Sequence, residues 1–171
     1  MLAAFAPPGL LQSLRKFLDL HPFETNVFAM TRFASSESTE TDPIGPAINA
    51  SREACAMHGL ELHLASDRAI LDDLWANVTA HMWASRYGLA FFEDLVKKGL
   101  NYNLTIEVGG MLTTGRRCAL LRDTSVTAMP TDLVGQIYKS VDIGNPVAVG
   151  ALVHIWIRDD LDLGACRSCP K

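Results

Sequence analysis

A three-layer α/β fold with a mostly parallel sheet of four or five strands is the fold class this sequence predicts. Three observations predict it. Runs rich in β-branched and aromatic residues alternate with segments of helical spacing. One run, Tyr87 to Phe92, is apolar at every position, as a strand covered on both faces must be. No internal repeat interrupts the alternation, and right-handed crossovers then make the sheet doubly wound.

The elements follow in order. Leu10 to Leu20 has helical spacing through Leu11, Leu14 and Leu18, and Pro22 ends it. Thr25 to Phe33 is the first strand, followed by a polar, acidic loop from Ala34 to Asp42. Pro43 to His58 reads as a helix stopped by Gly59, and Glu61 to Ala65 as a short strand. Ile70 to Ser85 is a helix whose expected buried stripe is Leu71, Leu74, Trp75, Val78 and Met82. Asp67, Asp72 or Asp73 serves its start. After the Tyr87–Phe92 strand come a helix entered at Asn103, for which a cap is one role, and a strand over Cys118 to Leu121. Gln136 to Val141 is an expected edge strand, and Pro146 to Leu161 a closing helix.

The chain has 171 residues, which fits one domain: a helical arm over 1–22, a core over 23–160 and a tail over 161–171. A hydrophobic share of 49% with 20% charged residues is that of a soluble globular protein. The net charge of −4 argues against a nucleic-acid surface, which needs a basic patch. No apolar run reaches membrane-spanning length, and the apolar start lacks a basic leader and is broken by Pro7–Pro8. A cytoplasmic location with reduced thiols is therefore expected, and the three Asn-x-Ser/Thr matches are read as chance. Cys166-Arg-Ser-Cys169 has the CxxC spacing of zinc and redox motifs. It lacks a strand before it and a helix after it, and no pattern brings it further ligands, so no metal is expected. His21, His58, His63 and His154 are scattered without ligand spacing, and His81 reads as a helix-flank residue.

In open α/β sheets, ligands bind beyond the carboxyl ends of the strands. Thr31–Arg32–Phe33, Glu93–Asp94 and the residues entering the helix at Asn103 occupy that edge. Glu107 falls about one turn into the helix, where the dipole favours its charge, so it is expected to be ionised. Such a carboxylate suits stabilising or trapping a ribosyl cation as a glycosidic bond breaks. The plainer alternative is a solvated helix carboxylate. Gly109 and Gly110 cost about 1 kcal/mol each against Ala within a helix, so a strand or ligand approaching closely is expected there. Asp94 could position ribose or be a strand-end acid facing water. Asn101 and Asn103 could bind ligand or serve a turn and cap. Arg32 could meet a phosphate and Phe33 stack on a base, against a surface Arg and a core Phe.

The order Asp94, Asn101/Asn103, Glu107-Val-Gly109 and then Gly115 to Leu121 resembles the nucleoside 2-deoxyribosyltransferase and TIR-like superfamily. VFAMTRF resembles its first strand, with Arg32 in the proline place, and Pro130 to Leu133 the segment before its last strand. The likeness covers Asn26 to Val141. It implies a flavodoxin-like fold and cleavage or transfer at the N-glycosidic bond of a nucleoside or nucleotide, with NAD one candidate substrate and no cofactor. Glu107 and Asp94 are then catalytic. Arg32, Phe33, Asn101, Asn103 and Gly109 are substrate-binding, and a homo-oligomer is implied. The interval from Asp94 to Glu107, holding Lys97, Lys98 and Gly99, favours the TIR-like side. The alternative is a non-enzymatic nucleotide-sensing or scaffold domain. An FMN carrier fits less well, because the acid in Ser35–Ser36–Glu37–Ser38 would repel phosphate.

Overall fold

Alternate residues of a strand face opposite sides of a sheet, so strands that are apolar throughout need a layer on each side. The computed structural model, which describes residues 10–32, 42–67, 70, 73–129 and 138–164, meets that need with helices on both faces. Helix α1 (Leu11–Leu20) precedes β1 (Asn26–Met30), α2 (Gly45–Met57) and β2 (Glu61–Leu64). Then come α3 (Leu74–Ala84), β3 (Tyr87–Phe92), α4 (Asn103–Thr113) and β4 (Arg117–Arg122). β5 (Tyr138–Ser140) and α5 (Pro146–Ile155) follow, and α5 runs into a π-helical turn over Trp156–Asp160. Each agrees with its predicted segment to within a few residues.

The described strands form one sheet in the order β2-β1-β3-β4-β5, with every neighbouring pair parallel. That order is the flavodoxin-like, doubly wound one, and its direction of winding reverses between β1 and β3. One face carries Val27, Ala29, Leu89, Phe91 and Leu121 against α2 and α5. The other carries Phe28, Met30, Ala90, Phe92 and Leu120 against α3 and α4. β1 and β3 are buried at every position, so the middle of the sheet is sealed on both sides. Among the described residues, no helix is long and apolar enough to cross a membrane.

Capping residues explain where the helices begin and end. Asp73 caps α3, its carboxylate accepting the Ala76 N–H at 2.8 Å, and Asn145 caps α5 through the Ala148 N–H at 3.1 Å. Gly59 follows α2 with φ of +72°, a left-handed conformation that suits glycine. At α4 the cap is Tyr102 and not Asn103; Asn103 is the first helical residue.

The buried face of α3 differs from the expected stripe. Asn77, Val78, Ala80, His81 and Ala84 are buried, whereas Leu74 and Trp75 are exposed. The reason is a polar anchor. Asn77 donates to the Ala65 carbonyl at 2.5 Å and its own carbonyl accepts the Ile70 N–H at 3.3 Å, turning that side inward. His81 is carried in with it, against Phe17 of α1 and stacked on Phe28.

The glycine pair of α4 has a reason other than a neighbouring strand. A Cβ on Gly110 would meet the Met82 sulfur of α3 at 2.9 Å, whereas one on Gly109 would meet nothing within 4 Å. Gly110 therefore lets two helices approach, and Gly109 has room for a side chain. Gly109→Ala is expected to stabilise the fold by about 0.5–1 kcal/mol. Gly110→Ala gains less or loses, because Met82 must move. Urea denaturation of the two variants beside wild type checks this, and the reverse order of midpoints would contradict it.

Candidate functional site at the carboxyl edge of the sheet

Where β1 and β3 end side by side, their next residues emerge together. Arg32 follows β1, and Glu93 and Asp94 follow β3. Glu93 is only 4% exposed, so its charge needs a partner. Arg32 Nε donates to Glu93 Oε1, and its Nη2 donates to Asp42 Oδ1 ahead of α2. The remaining Glu93 oxygen accepts the Leu95 N–H at 2.8 Å. The guanidinium thus joins β1, β3 and the approach to α2, and its expected freedom to meet a phosphate is largely used up.

Arg32 lines two cavities. The first, about 270 Å³, is walled by Phe28, Thr31, Ile44, Leu64 and Ser66, with Asp42 and Glu107 as its acids. The second, about 320 Å³, is lined by Glu93, Asp94, Lys98, Asn101 and Asn103. The predicted site residues therefore divide. Glu107 and Arg32 share the first cavity; Arg32, Asp94, Asn101 and Asn103 share the second; Gly109 lines neither. Phe33 lies outside the described residues, as do Pro130 to Leu133, the Ser35–Ser38 loop and Cys166 and Cys169.

In the second cavity the polar groups serve the loop itself. The Asp94 carboxylate accepts the Gly99 N–H at 2.8 Å, and its own N–H donates to Ser125 Oγ at 2.9 Å. Asn101 Oδ1 accepts the Asn103 N–H at 3.1 Å, a turn that leads into α4.

Glu107 is different. It is 4% exposed, and its carboxyl makes no hydrogen bond among the described residues. Burial pushes its pKa up to about 7, against the expectation of a dipole-stabilised anion. The physical reason is position. Glu107 is the fifth residue of α4, beyond the free N–H groups of the first turn, in a cavity with mostly apolar walls. Beside it, the Thr31 hydroxyl oxygen is buried without a partner among the described residues. The cavity therefore offers an acid balanced between two protonation states and a hydroxyl free to bind.

Sequence reasoning placed Thr31 at the carboxyl edge without giving it a role, and passed over Asp42, which carried no motif. It also scattered the histidines, which the fold gathers. His58 Nε2 and His154 Nδ1 are 3.0 Å apart, and His21 and His63 meet beside Glu61. The available signal was Glu61-x-His63, two residues on one face of a strand.

Two substitutions test this electrostatic arrangement. Arg32→Ala leaves Glu93 buried without its ion pair and is expected to cost about 3–5 kcal/mol. Adding Glu93→Gln should restore a large part, which a double-mutant cycle by urea denaturation measures. Glu107 has a folded pKa above its ordinary 4.5, so the fold loses stability as pH rises from about 4.5 through about 7. Glu107→Gln is therefore expected to be more stable than wild type by about 3 kcal/mol at pH 8, with little difference near pH 4. Denaturation at both pH values decides it; equal stabilities at pH 8 would mean that the carboxyl is solvated.

The geometry has to carry the functional reading, because no family model, no curated protein and no solved structure matches the chain.

Proposed function

We propose that the chain breaks or transfers the N-glycosidic bond of a nucleoside, with Glu107 as the carboxylate that meets the ribosyl cation. The observation that carries this reading is an unpartnered carboxyl, pushed to about 7, in a cavity at the carboxyl edge of a doubly wound sheet. A buried carboxylate without a counter-charge is destabilised until positive charge forms beside it. An oxocarbenium ion supplies that charge only as the bond breaks, so the interaction strengthens toward the transition state. The C1′–N electron pair leaves with the base. Glu107 then holds the cation as an ion pair or an ester, and water or a second base attacks C1′.

The charge inventory favours an uncharged nucleoside over a nucleotide or NAD. The cation in the Glu107 cavity, Arg32, is already paired with Asp42 and Glu93, so little positive charge is left for a phosphate. Thr31, whose buried hydroxyl has no partner among the described residues, lines the same cavity and can meet a ribose hydroxyl. One observation favours the second reading, a binding or scaffold domain without turnover. Asp94 and Asn101, the groups that ribose positioning would draw on, are occupied within their own loop.

The test is chromatographic base release from purine and pyrimidine nucleosides, deoxynucleosides, nucleotides and NAD. Glu107→Gln is expected to lower turnover on the order of 10²–10³-fold or more while the protein stays folded. The ionised carboxylate is the active form, so kcat/KM should rise with pH through about 7 and then level off. Unchanged release by Glu107→Gln would remove the assignment. Calorimetric binding of a nucleoside with no release over hours would favour the binding domain.

A further inference from the structure

On the face of the sheet that packs against α3, at the β2 edge, three side chains from two separate segments converge. His21 caps the C-terminus of α1, and Glu61 and His63 lie two apart on β2. One potential ligand atom from each lies within 4.8 Å of the other two. His21 Nδ1 is 2.8 Å from Glu61 Oε2, and His63 Nε2 is 3.9 Å from the same oxygen. We propose that His21, Glu61 and His63 form a zinc site that fastens α1 to the edge strand β2.

Two imidazoles and a carboxylate are a zinc ligand set of the kind that leaves a fourth position for water or another ligand. Zinc–ligand bonds are about 2.0–2.2 Å, so donors around one ion sit roughly 3–4 Å apart. The observed separations of 2.8 and 3.9 Å bracket that spacing. His21 and Glu61 have side chains that are 30% and 52% exposed, so they can adjust by the fraction of an ångström that an ion requires. His63 is the fixed member, held between Phe17 at 5.0 Å and its backbone in β2.

Asn26 is the polar neighbour of both histidines. Asn26 Oδ1 lies 3.2 Å from His63 Nε2, while the Asn26 amide nitrogen donates to the His21 and Ala84 carbonyls. Asn26 therefore ties the His21 backbone to β1 beside the His63 ring, and an ion bound at Nε2 would replace the Asn26 Oδ1 contact, since one ring nitrogen cannot both donate to an oxygen and give its lone pair to a metal. The ligands face a cavity of about 350 Å³ bordered by Arg52, Ala56 and Asp67, which gives an ion a way in and room for a bound water.

The plainer account is a polar network without metal, in which Glu61 accepts a hydrogen bond from His21 Nδ1–H. The two accounts part on zinc itself. Chelator-treated full-length protein should take up one zinc per chain in calorimetry, retain it through gel filtration as metal analysis reads, and gain thermal stability that EDTA reverses. His21→Ala, at a half-buried position, and Glu61→Gln, at an exposed one, should each weaken binding at least about tenfold. His63→Ala should abolish it. Cobalt(II) bound to wild type should show visible absorption that His21→Ala and Glu61→Gln alter. The Cys166→Ser/Cys169→Ser variant should bind as wild type does. Failure to bind zinc, binding indifferent to His21 and Glu61, or binding lost in the cysteine variant would each overturn the proposal.

Discussion

The arrangement depends most on one ion pair, that of Arg32 with the buried Glu93. Parallel strands end together, and in this sheet order β1 and β3 are neighbours whose connections leave in opposite directions. The opening so formed is where a ligand can sit and where the core is easiest to breach. Glu93 stands in it, 4% exposed, and a lone carboxylate there would be costly. Arg32 neutralises it and extends to Asp42, tying the approach to α2 to the same point. Because its guanidinium lines both cavities, the two spaces share one charged wall.

A second network fixes the rest of that edge. Asp123, at the end of β4, accepts the N–H groups of Ser125 at 2.8 Å and Ile143 at 2.7 Å. Burial works against its charge, but the hydrogen bonds from Ser125 and Ile143 outweigh it and hold its carboxyl below the ordinary range. Ser125 in turn accepts the Asp94 N–H. The loops after β3 and β4 and the turn before α5 are thereby joined through backbone amides. Asp94 joins this network through its N–H and its own loop through its carboxylate. Glu107, on a helix, stands outside this network.

The fold was legible because its signals are local. The largely apolar runs of β1 and β3, buried throughout, the Gly59 stop, the caps at Asp73 and Asn145, and Pro146 opening α5 can each be read within a few residues. The α3 face was not legible, because it is set by Asn77 reaching the Ala65 carbonyl, a polar contact that apolar periodicity points away from. The site was half legible. Glu107 follows from its place on the helix after the central strand. Its protonation does not, because that depends on the walls that α2, β1 and β2 bring around it. The clustering of His21 with His63 depends on α1 lying against the sheet edge, a placement that neither segment encodes alone.

Glu107 and His81 show what the α3–α4 layer does with charge. Both are buried without partners among the described residues, and Phe28 is common to their surroundings, stacked on His81 and lining the Glu107 cavity. Burial, with His63 and His21 adding to it, lowers His81 to about 4, while burial raises Glu107 to about 7. The acid thus gains a proton on folding and the imidazole refuses one, so near neutrality the layer tends toward two uncharged groups rather than an ion pair. For His81 the neutral state serves packing, since its ring lies among aromatic neighbours and has no opening for a counter-ion. For Glu107 the neutral state follows from a cavity with mostly apolar walls, which makes ionisation costly. The same apolar layer therefore silences one titratable group and sensitises the other, and the difference is that only Glu107 faces a space large enough to receive a ligand.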